Sequence, residues 1–337
     1  MNIGASYGEI KIFTCNANEP LASKIVERLA NIGECSETNT TKANLKDLKL
    51  SKARVGKFKD GEISLKIDEG VRECDVFIIQ STSNPVNDNL MELLLMIDAC
   101  KRASAKRITA VIPYYGYARQ DRKVRARDPI SAKLVSNLLT SAGAHRILTM
   151  DLHSTQIQGF FDIPLDNLLG IPIFNKYYTN KIKDLSKTII VSPDLGSVGR
   201  SRTLAENLHV NLAIVDKRRP RDNVAEVVNV IGGVRGKTAI LMDDEIDTAG
   251  SITNAAQALV ENGAEEIYAC CTHGKFSDNA LQKIKASPIK ELLTLDTIKP
   301  TSETLNVPNI KVLSVSEIFA RAIFRIHEGI SVSDLFH

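Results

Sequence analysis

Neither a GxxxxGK[ST] phosphate loop nor a GxGxxG turn occurs in the 337 residues of this chain. Their absence removes the main support for a P-loop NTPase or a dinucleotide-binding enzyme. The six cysteines (Cys15, Cys35, Cys74, Cys100, Cys270 and Cys271) show no CxxC spacing. Several lie in apolar runs such as ECDVFII and IYACCTH, where a thiol behaves as a small buried hydrophobe. That pattern points to a reducing compartment without a disulfide framework. An excess of either charge is missing too: 43 basic against 40 acidic residues leave a net charge of +3, too balanced for a surface that tracks nucleic acid. No apolar stretch reaches membrane-spanning length, since even LMELLLMIDAC carries Glu92 and Asp98, so no membrane association is expected. The opening MNIGASYGEIKIF lacks the layout of a signal peptide, and a cytoplasmic location is expected.

What is present is alternation. Strand-like runs (IKIF, DVFIIQ, ITAVIP, RILTM, TIIV, LAIVD, TAILM and EIYACC) are separated by helix-like segments. The latter include LASKIVERLA, NLMELLLMIDACKRA, ISAKLVSNLLTSAG, RTLAENL and NAAQALVENG, some stopping at a glycine such as Gly143 or Gly263. Such alternation predicts an α/β protein with parallel sheets covered by helices. In such sheets ligands sit beyond the carboxyl ends of the strands. The chain is long enough for two domains. Residues 131–153 and 251–273 also align without a gap, Gly143 with Gly263 and His153 with His273. Either the chain holds two copies of one domain, or two helix-glycine-strand units merely look alike. Residues 31–53 read as a polar surface excursion, with a short helix possible at NLKDLKL.

The segment DDEIDTAGS follows the apolar run TAILM and puts four carboxylates (Asp243, Asp244, Glu245 and Asp247) into five positions. Like charges so close need compensation from a metal, a cationic protein segment or a hydroxyl-rich ligand. A helix beginning near Ser251 would offer unpaired amides and a positive dipole end to a phosphate. The carboxylates would accept hydrogen bonds from a vicinal diol, so the loop suits a sugar phosphate; the plain alternative is a solvated acidic turn. Two basic loops follow other strands: Arg119, Arg122, Lys123, Arg125 and Arg127 after ITAVIP, and Lys217, Arg218, Arg219 and Arg221 after LAIVD. A charge run is usually just solvated, but two at strand ends in a nearly neutral chain favour a polyphosphate. His153 in MDLHS and Asp194 in SPDLGSVGR would make a minimal Mg²⁺ site completed by phosphates and water.

Taken together, VDKRRPR, YARQDRK, MDLHSTQIQGFFDIPLDNL, SPDLGSVGRSR and DDEIDTAGS resemble the ribose-phosphate pyrophosphokinases over nearly the whole chain. The resemblance implies two tandem phosphoribosyltransferase-like domains, residues 8–168 and 169–337, each a mostly parallel sheet flanked by helices. The C-terminal segment would partly return to the first. It implies transfer of the β,γ-diphosphoryl group of Mg·ATP to the 1-hydroxyl of ribose 5-phosphate, with AMP released. By motif, Phe58, Asp60, Gly61, Glu62, Arg119 and Gln120 would hold ATP. Asp243, Asp244, Asp247, Thr248, Ala249, Gly250 and Ser251, with Arg219, would hold ribose 5-phosphate. His153 and Asp194 would meet Mg²⁺, and Lys217 and Arg219 would close over the reacting phosphates on a mobile loop.

The phosphate-dependent class further implies a homohexamer activated by inorganic phosphate and inhibited by ADP at one site. Its residues match Arg72, Gln158, Asn167, Ser331, Ser333 and Phe336. The chain departs from the pattern at Glu245, where an aliphatic residue or methionine is expected. Further departures are Ser197, where glycine is usual, Gly274, where proline is usual, and the longer 31–53 excursion. The competing readings are a non-catalytic regulatory scaffold of the same family, a phosphoribosyltransferase and a nucleic-acid-binding module. The scaffold would show altered KRRPR and RQDRK loops, which are intact here. The duplicated domain and the basic loops count against the second.

Overall fold

The apolar runs become the central strands of two sheets in a computed structural model that describes residues 8–35, 45–218 and 227–336. The first part of the chain runs β1 (Ile10–Thr14), α1 (Glu19–Cys35), β2 (Ala53–Lys57), β3 (Ile63–Ile67), β4 (Asp75–Ile79), α2 (Val86–Arg102), β5 (Arg107–Ile112), α3 (Ser131–Ala142), β6 (Arg146–Met150) and β7 (Leu165–Leu168). Strands β1, β4, β5, β6 and β7 form one sheet in the order β1-β4-β5-β6-β7, parallel throughout. Strands β4 and β5 are buried at every position, as expected for a parallel sheet covered on both faces. Helix α2 buries Leu90, Leu93, Met96, Ile97 and Cys100 at helical spacing, each large apolar side chain contributing about 1.5–3 kcal/mol.

The second part runs α4 (Ile171–Lys181), β8 (Thr188–Ser192), α5 (Val198–Leu208), β9 (Asn211–Arg218), β10 (Val227–Ile231), β11 (Thr238–Ile246), α6 (Gly250–Glu261), β12 (Glu266–Gly274), α7 (Ala280–Ala286), β13 (Glu291–Leu295), α8 (Ser302–Leu305) and β14 (Ile310–Leu313). Its sheet has the order β10-β9-β8-β11-β12-β13-β14, parallel except for the β10/β9 pair. Each sheet has its own apolar core. The units α3–β6 and α6–β12 hold the same place beside a central strand, β5 in one sheet and β11 in the other. Gly143 and Gly263 end these helices at φ 120° and 86°, a left-handed region that favours glycine.

The chain divides into two compact units. One is built from residues up to Leu169 with Thr297–Lys299 and Ser314 onward, the other from Gly170–Asp296 and Pro300–Leu313. A C-terminal helix, Ser316–Glu328, therefore packs in the first unit, against α1. A buried polar staple fastens it. Arg107 donates to both carboxylate oxygens of Asp75 and to the carbonyl of Ile326, and His327 Nδ1 lies 2.8 Å from Asp75 Oδ2. Removing Arg107 would strip the buried Asp75 carboxylate of its two-point partner, a loss of about 3–5 kcal/mol.

Several elements differ from expectation. Residues 45–50 of NLKDLKL form a turn and a bridge to β1 rather than a helix, while residues 36–44 of the excursion lie outside the described residues. Residues 31–35 continue α1. Strand β11 runs on through Asp243, Asp244 and Glu245, because β12 keeps pairing with it as far as Ile246↔Gly274. The hairpin β2/β3, strands β7, β10, β13 and β14, and helices α4, α7, α8 and Ser316–Glu328 were not among the expected elements. Most are short or marginal, so their apolar pattern is weak. Among the described residues, no helix is long and apolar enough to cross a membrane. The cysteines Cys15, Cys74, Cys100, Cys270 and Cys271 are buried free thiols, and burial pushes all of them up.

Candidate active-site loops

The acidic loop of the second unit begins inside the sheet. Ala239–Met242 of β11 are almost fully buried, and an alternation begins after them, with Asp244 and Ile246 also buried. Asp243, Glu245 and Asp247 are half-buried on the opposite side of that alternation. The protein itself supplies much of the compensation. Arg200 of α5 lies 3.5 Å from Asp244. Lys275, just past β12, places Nζ 3.3 Å from Glu245 Oε1 and 3.3 Å from Asp247 Oδ2. Asp243 has milder partners, accepting hydrogen bonds from Ser197 Oγ at 2.6 Å and the Asp244 amide at 2.9 Å. Burial, and then the charge of Asp244, push the Asp243 carboxyl up to about 8.

Helix α6 starts immediately afterwards, at Gly250, one residue before the expected start. Its cap, Ala249, is left-handed at φ 61° and provides no side-chain hydrogen bond to the first turn. Thr248 and Ser251 are exposed, and a Cβ added at Gly250 would meet nothing within 4 Å. The loop is thus open where an anion could reach helix amides, with carboxylates just upstream. Lys283 of α7 donates to the Thr248 carbonyl at 3.1 Å and steadies the loop from behind.

Ser197 ties this loop to the Asp194 loop. Its amide donates to Asp194 Oδ1 at 3.0 Å while its hydroxyl holds Asp243. Asp194 and Asp243 are thereby brought to one place at the carboxyl ends of β8 and β11. Sequence reasoning marked Ser197 only as a departure, and it passed over Arg200 and Lys275 as partners of the carboxylates. No local signal pairs residues so far apart in the chain. Lys217 sits on β9 opposite Val228, and Arg219 lies outside the described residues.

In the first unit, Phe58, Asp60, Gly61 and Glu62 form the turn of the β2/β3 hairpin. The Phe58 amide donates to the Glu62 carbonyl, and Asp60 Oδ1 accepts from the Glu62 amide. Gly61 takes φ 95°, and Phe58 is 58% exposed at the tip. Arg119 and Gln120 are exposed on the loop that follows β5. That loop is anchored where Gly116 passes Thr82, because a Cβ there would come within 2.4 Å of the Thr82 carbonyl oxygen. Gln120 is held to the start of α3 through Ser131. His153 is half-buried just past β6. Among the described residues, no three His, Cys, Asp or Glu side chains gather to cage a metal.

The six residues expected at a phosphate and ADP site also lie in the first unit. Asn167 is buried, and its Oδ1 accepts from the Leu152 amide at 3.1 Å, next to His153. Arg72 and Gln158 are exposed. Ser331 and Ser333 share a hydroxyl–hydroxyl bond of 2.9 Å, and Arg325 grips the Ser331 carbonyl and Asp334. Leu335 is buried; Phe336 belongs to the same final turn.

Residues 10–143 match the N-terminal domain of ribose phosphate pyrophosphokinase, and residues 219–337 match the phosphoribosyl synthetase-associated domain. The chain is 58% identical over 327 residues to the ribose-phosphate pyrophosphokinase of Caldanaerobacter subterraneus subsp. tengcongensis, covering 97% of this chain and 98% of that protein. It is 53% identical over 332 residues to the enzyme of that name from Bacillus subtilis, with 98% of each chain covered. Among solved structures, the phosphoribosylpyrophosphate synthetase of Mycobacterium smegmatis superposes with a TM-score of 0.84 at 38% identity. The superposition covers 95% of this chain and 99% of that one.

Proposed function

The chain belongs to the ribose-phosphate pyrophosphokinases, and from that premise we propose which of its residues carry the reaction. The enzyme transfers the β,γ-diphosphoryl group of ATP to the 1-hydroxyl of ribose 5-phosphate, giving 5-phosphoribosyl 1-diphosphate and AMP. The bond from the sugar 1-oxygen to the β-phosphorus forms as the bond from that phosphorus to the α,β-bridging oxygen breaks. Such a transfer asks the protein for positioning and for neutralisation of phosphate charge.

Asp243, Asp244 and Asp247 accept the ribose hydroxyls. Thr248, Ala249, Gly250 and Ser251 cradle the 5-phosphate on the first turn of α6. The observation that carries this assignment is a helix start at Ala249–Gly250 with no side-chain cap hydrogen bond and open space at Gly250, directly behind carboxylates that end a buried strand. Phe58, Asp60, Gly61, Glu62, Arg119 and Gln120 take ATP: the ring and the turn face the base and ribose, the guanidinium the phosphates. Lys217 and Arg219 neutralise the charge that develops during transfer.

His153 in the first unit and Asp194 in the second are each assigned to Mg²⁺. An imidazole and a carboxylate are each suited to an ion drawing most of its ligands from phosphates and water. When bound, the ion withdraws charge from the phosphates. Asp194, held by the Ser197 amide, keeps its carboxylate oriented beside the sugar loop.

Phosphorus NMR of the protein with Mg·ATP and ribose 5-phosphate tests the activity. AMP with a 1-diphosphoryl sugar is expected; ADP would indicate an ordinary kinase, and no turnover the regulatory scaffold. A homohexamer with a shared phosphate and ADP site at Arg72, Gln158, Asn167, Ser331, Ser333 and Phe336 completes the proposal. The paired hydroxyls of Ser331 and Ser333 support it as donors to a small anion. Ser331→Ala with Ser333→Ala should weaken ADP inhibition in part. Activity that stays flat from zero to tens of millimolar phosphate at fixed ionic strength would remove the regulatory half alone.

A further inference from the structure

The acidic loop carries one charge more than its role requires. Glu245 is not among the residues assigned to the sugar, yet its side chain is only 10% exposed. Next to it stand Asp247 at 25% and Lys275 at 16% exposure, with Lys275 Nζ equidistant from the two carboxylates at 3.3 Å. Glu245 lies near the end of β11 and Asp247 just past it, and both carboxylates turn to the same ammonium. Without a cation between them, two carboxylates in so enclosed a place would repel.

The backbone delivers that cation. The amides of Lys275 and Phe276 both donate to the Ile246 carbonyl, and the Ser277 amide to the Asp247 carbonyl. Residues 275–277 therefore run bonded to the start of the sugar loop. The approach depends on Gly274: a Cβ there would lie 2.5 Å from the Phe276 ring and 2.6 Å from Thr294 Oγ1. With Phe276 at φ 49°, the ring folds back over the glycine, and Lys275 points along the loop edge.

We propose that Lys275 is a positioning residue for ribose 5-phosphate, holding the Asp247 carboxylate in place against Glu245, which in turn orients the lysine. The inference rests on the assignment of Asp243–Ser251 to the sugar phosphate. Glu245 and Lys275 thus form a unit: the glutamate is tolerated beside a sugar-phosphate loop because the lysine accompanies it, and the lysine is kept from the ligand because the glutamate retains it.

The test is a cycle of four variants with steady-state kinetics at saturating partner substrate. Lys275→Met should raise KM for ribose 5-phosphate about tenfold, with kcat and the KM for ATP changed less than about threefold. Lys275→Arg should recover most of that loss. Glu245→Met with Lys275→Met should raise the same KM at least about threefold less than Lys275→Met alone, because the repelling charge leaves with the lysine. The double variant replaces a buried pair by apolar groups, a change that folds tolerate; where Lys275→Met is unstable, the KM of the double variant is compared with the parent's, and a rise of about tenfold there overturns the proposal. An unchanged KM in Lys275→Met, or equal losses in the single and double variants, overturns the proposal. Asp247→Asn run alongside separates the two failures. If that variant raises the KM for ribose 5-phosphate and Lys275→Met does not, the lysine's role alone is wrong. If neither moves it, the sugar-site assignment falls, and this role with it.

Discussion

Two loops hold the same place in the two sheets and have opposite chemistry. After β5 the chain spends residues 113–130 on an excursion in which Arg119, Arg122, Lys123, Arg125 and Arg127 are exposed. After β11 it reaches α6 in three residues, and its carboxylates are half-buried or buried against Arg200, Lys275 and Ser197. A long loop can keep like charges solvated and apart. A short one cannot, and its charges must be answered by neighbouring elements of the same sheet. The comparison teaches that the acidic loop is preorganised by the elements packed around it, whereas the long basic loop holds its charges at the surface.

That contrast can be broken at several points. The strongest expected effect comes from a cation: Lys217→Ala should lower kcat on the order of 100-fold, with smaller changes in either KM, because the charge it meets develops in the transition state. A loss confined to KM would make Lys217 a ground-state contact. The acidic loop should respond in the opposite manner. Asp247→Asn is expected to raise KM for ribose 5-phosphate about tenfold or more, the cost of a hydrogen bond to a charged acceptor, and to leave the KM for ATP near its starting value.

Asp243 sharpens the comparison through pH. With its carboxyl pushed up to about 8 by burial and Asp244, ionisation and sugar binding should improve together, and KM for ribose 5-phosphate should fall about tenfold from pH 6.5 to 8.5. In Asp243→Asn that slope should flatten. Stability should run the other way. A carboxyl whose folded pKa lies above its unfolded value of about 3.9 favours the folded state at low pH and costs stability as pH climbs toward 8. Asp243→Asn should therefore melt above the parent protein, with a gap that widens from pH 5 to pH 8. The mildest effect is expected at the long loop, where Arg119→Ala should raise KM for ATP about fivefold and lessen its salt dependence, since that guanidinium acts from an exposed position. A fivefold change in the KM for ribose 5-phosphate instead would reassign the residue.

Much of this was legible in the chain alone. Apolar runs such as TAILM and EIYACC carry enough buried surface to specify strands regardless of context, and the alternation with helices leaves a parallel sheet as the natural arrangement. The candidate loop was legible because carboxylates, small residues and hydroxyls fall within one short stretch, DDEIDTAGS. Less legible were the marginal elements, the hairpin β2/β3 among them: ARVGK and ISLKI are short and mostly exposed or half-buried, and pairing with each other defines them more than burial does.

By itself the sequence determined the two-sheet α/β class, the strand ends where function gathers, and the family to which the chain belongs. Tertiary structure alone decided how the acidic loop is neutralised. Ser197, Arg200 and Lys275 reach Asp243, Asp244, Glu245 and Asp247 only because β8, β11 and β12 lie side by side. It likewise decided that the last helix belongs to the first unit, through Asp75, Arg107 and His327. Local patterns record what each segment buries; which distant charge answers which depends on register between strands, and that register exists only once the sheet has formed.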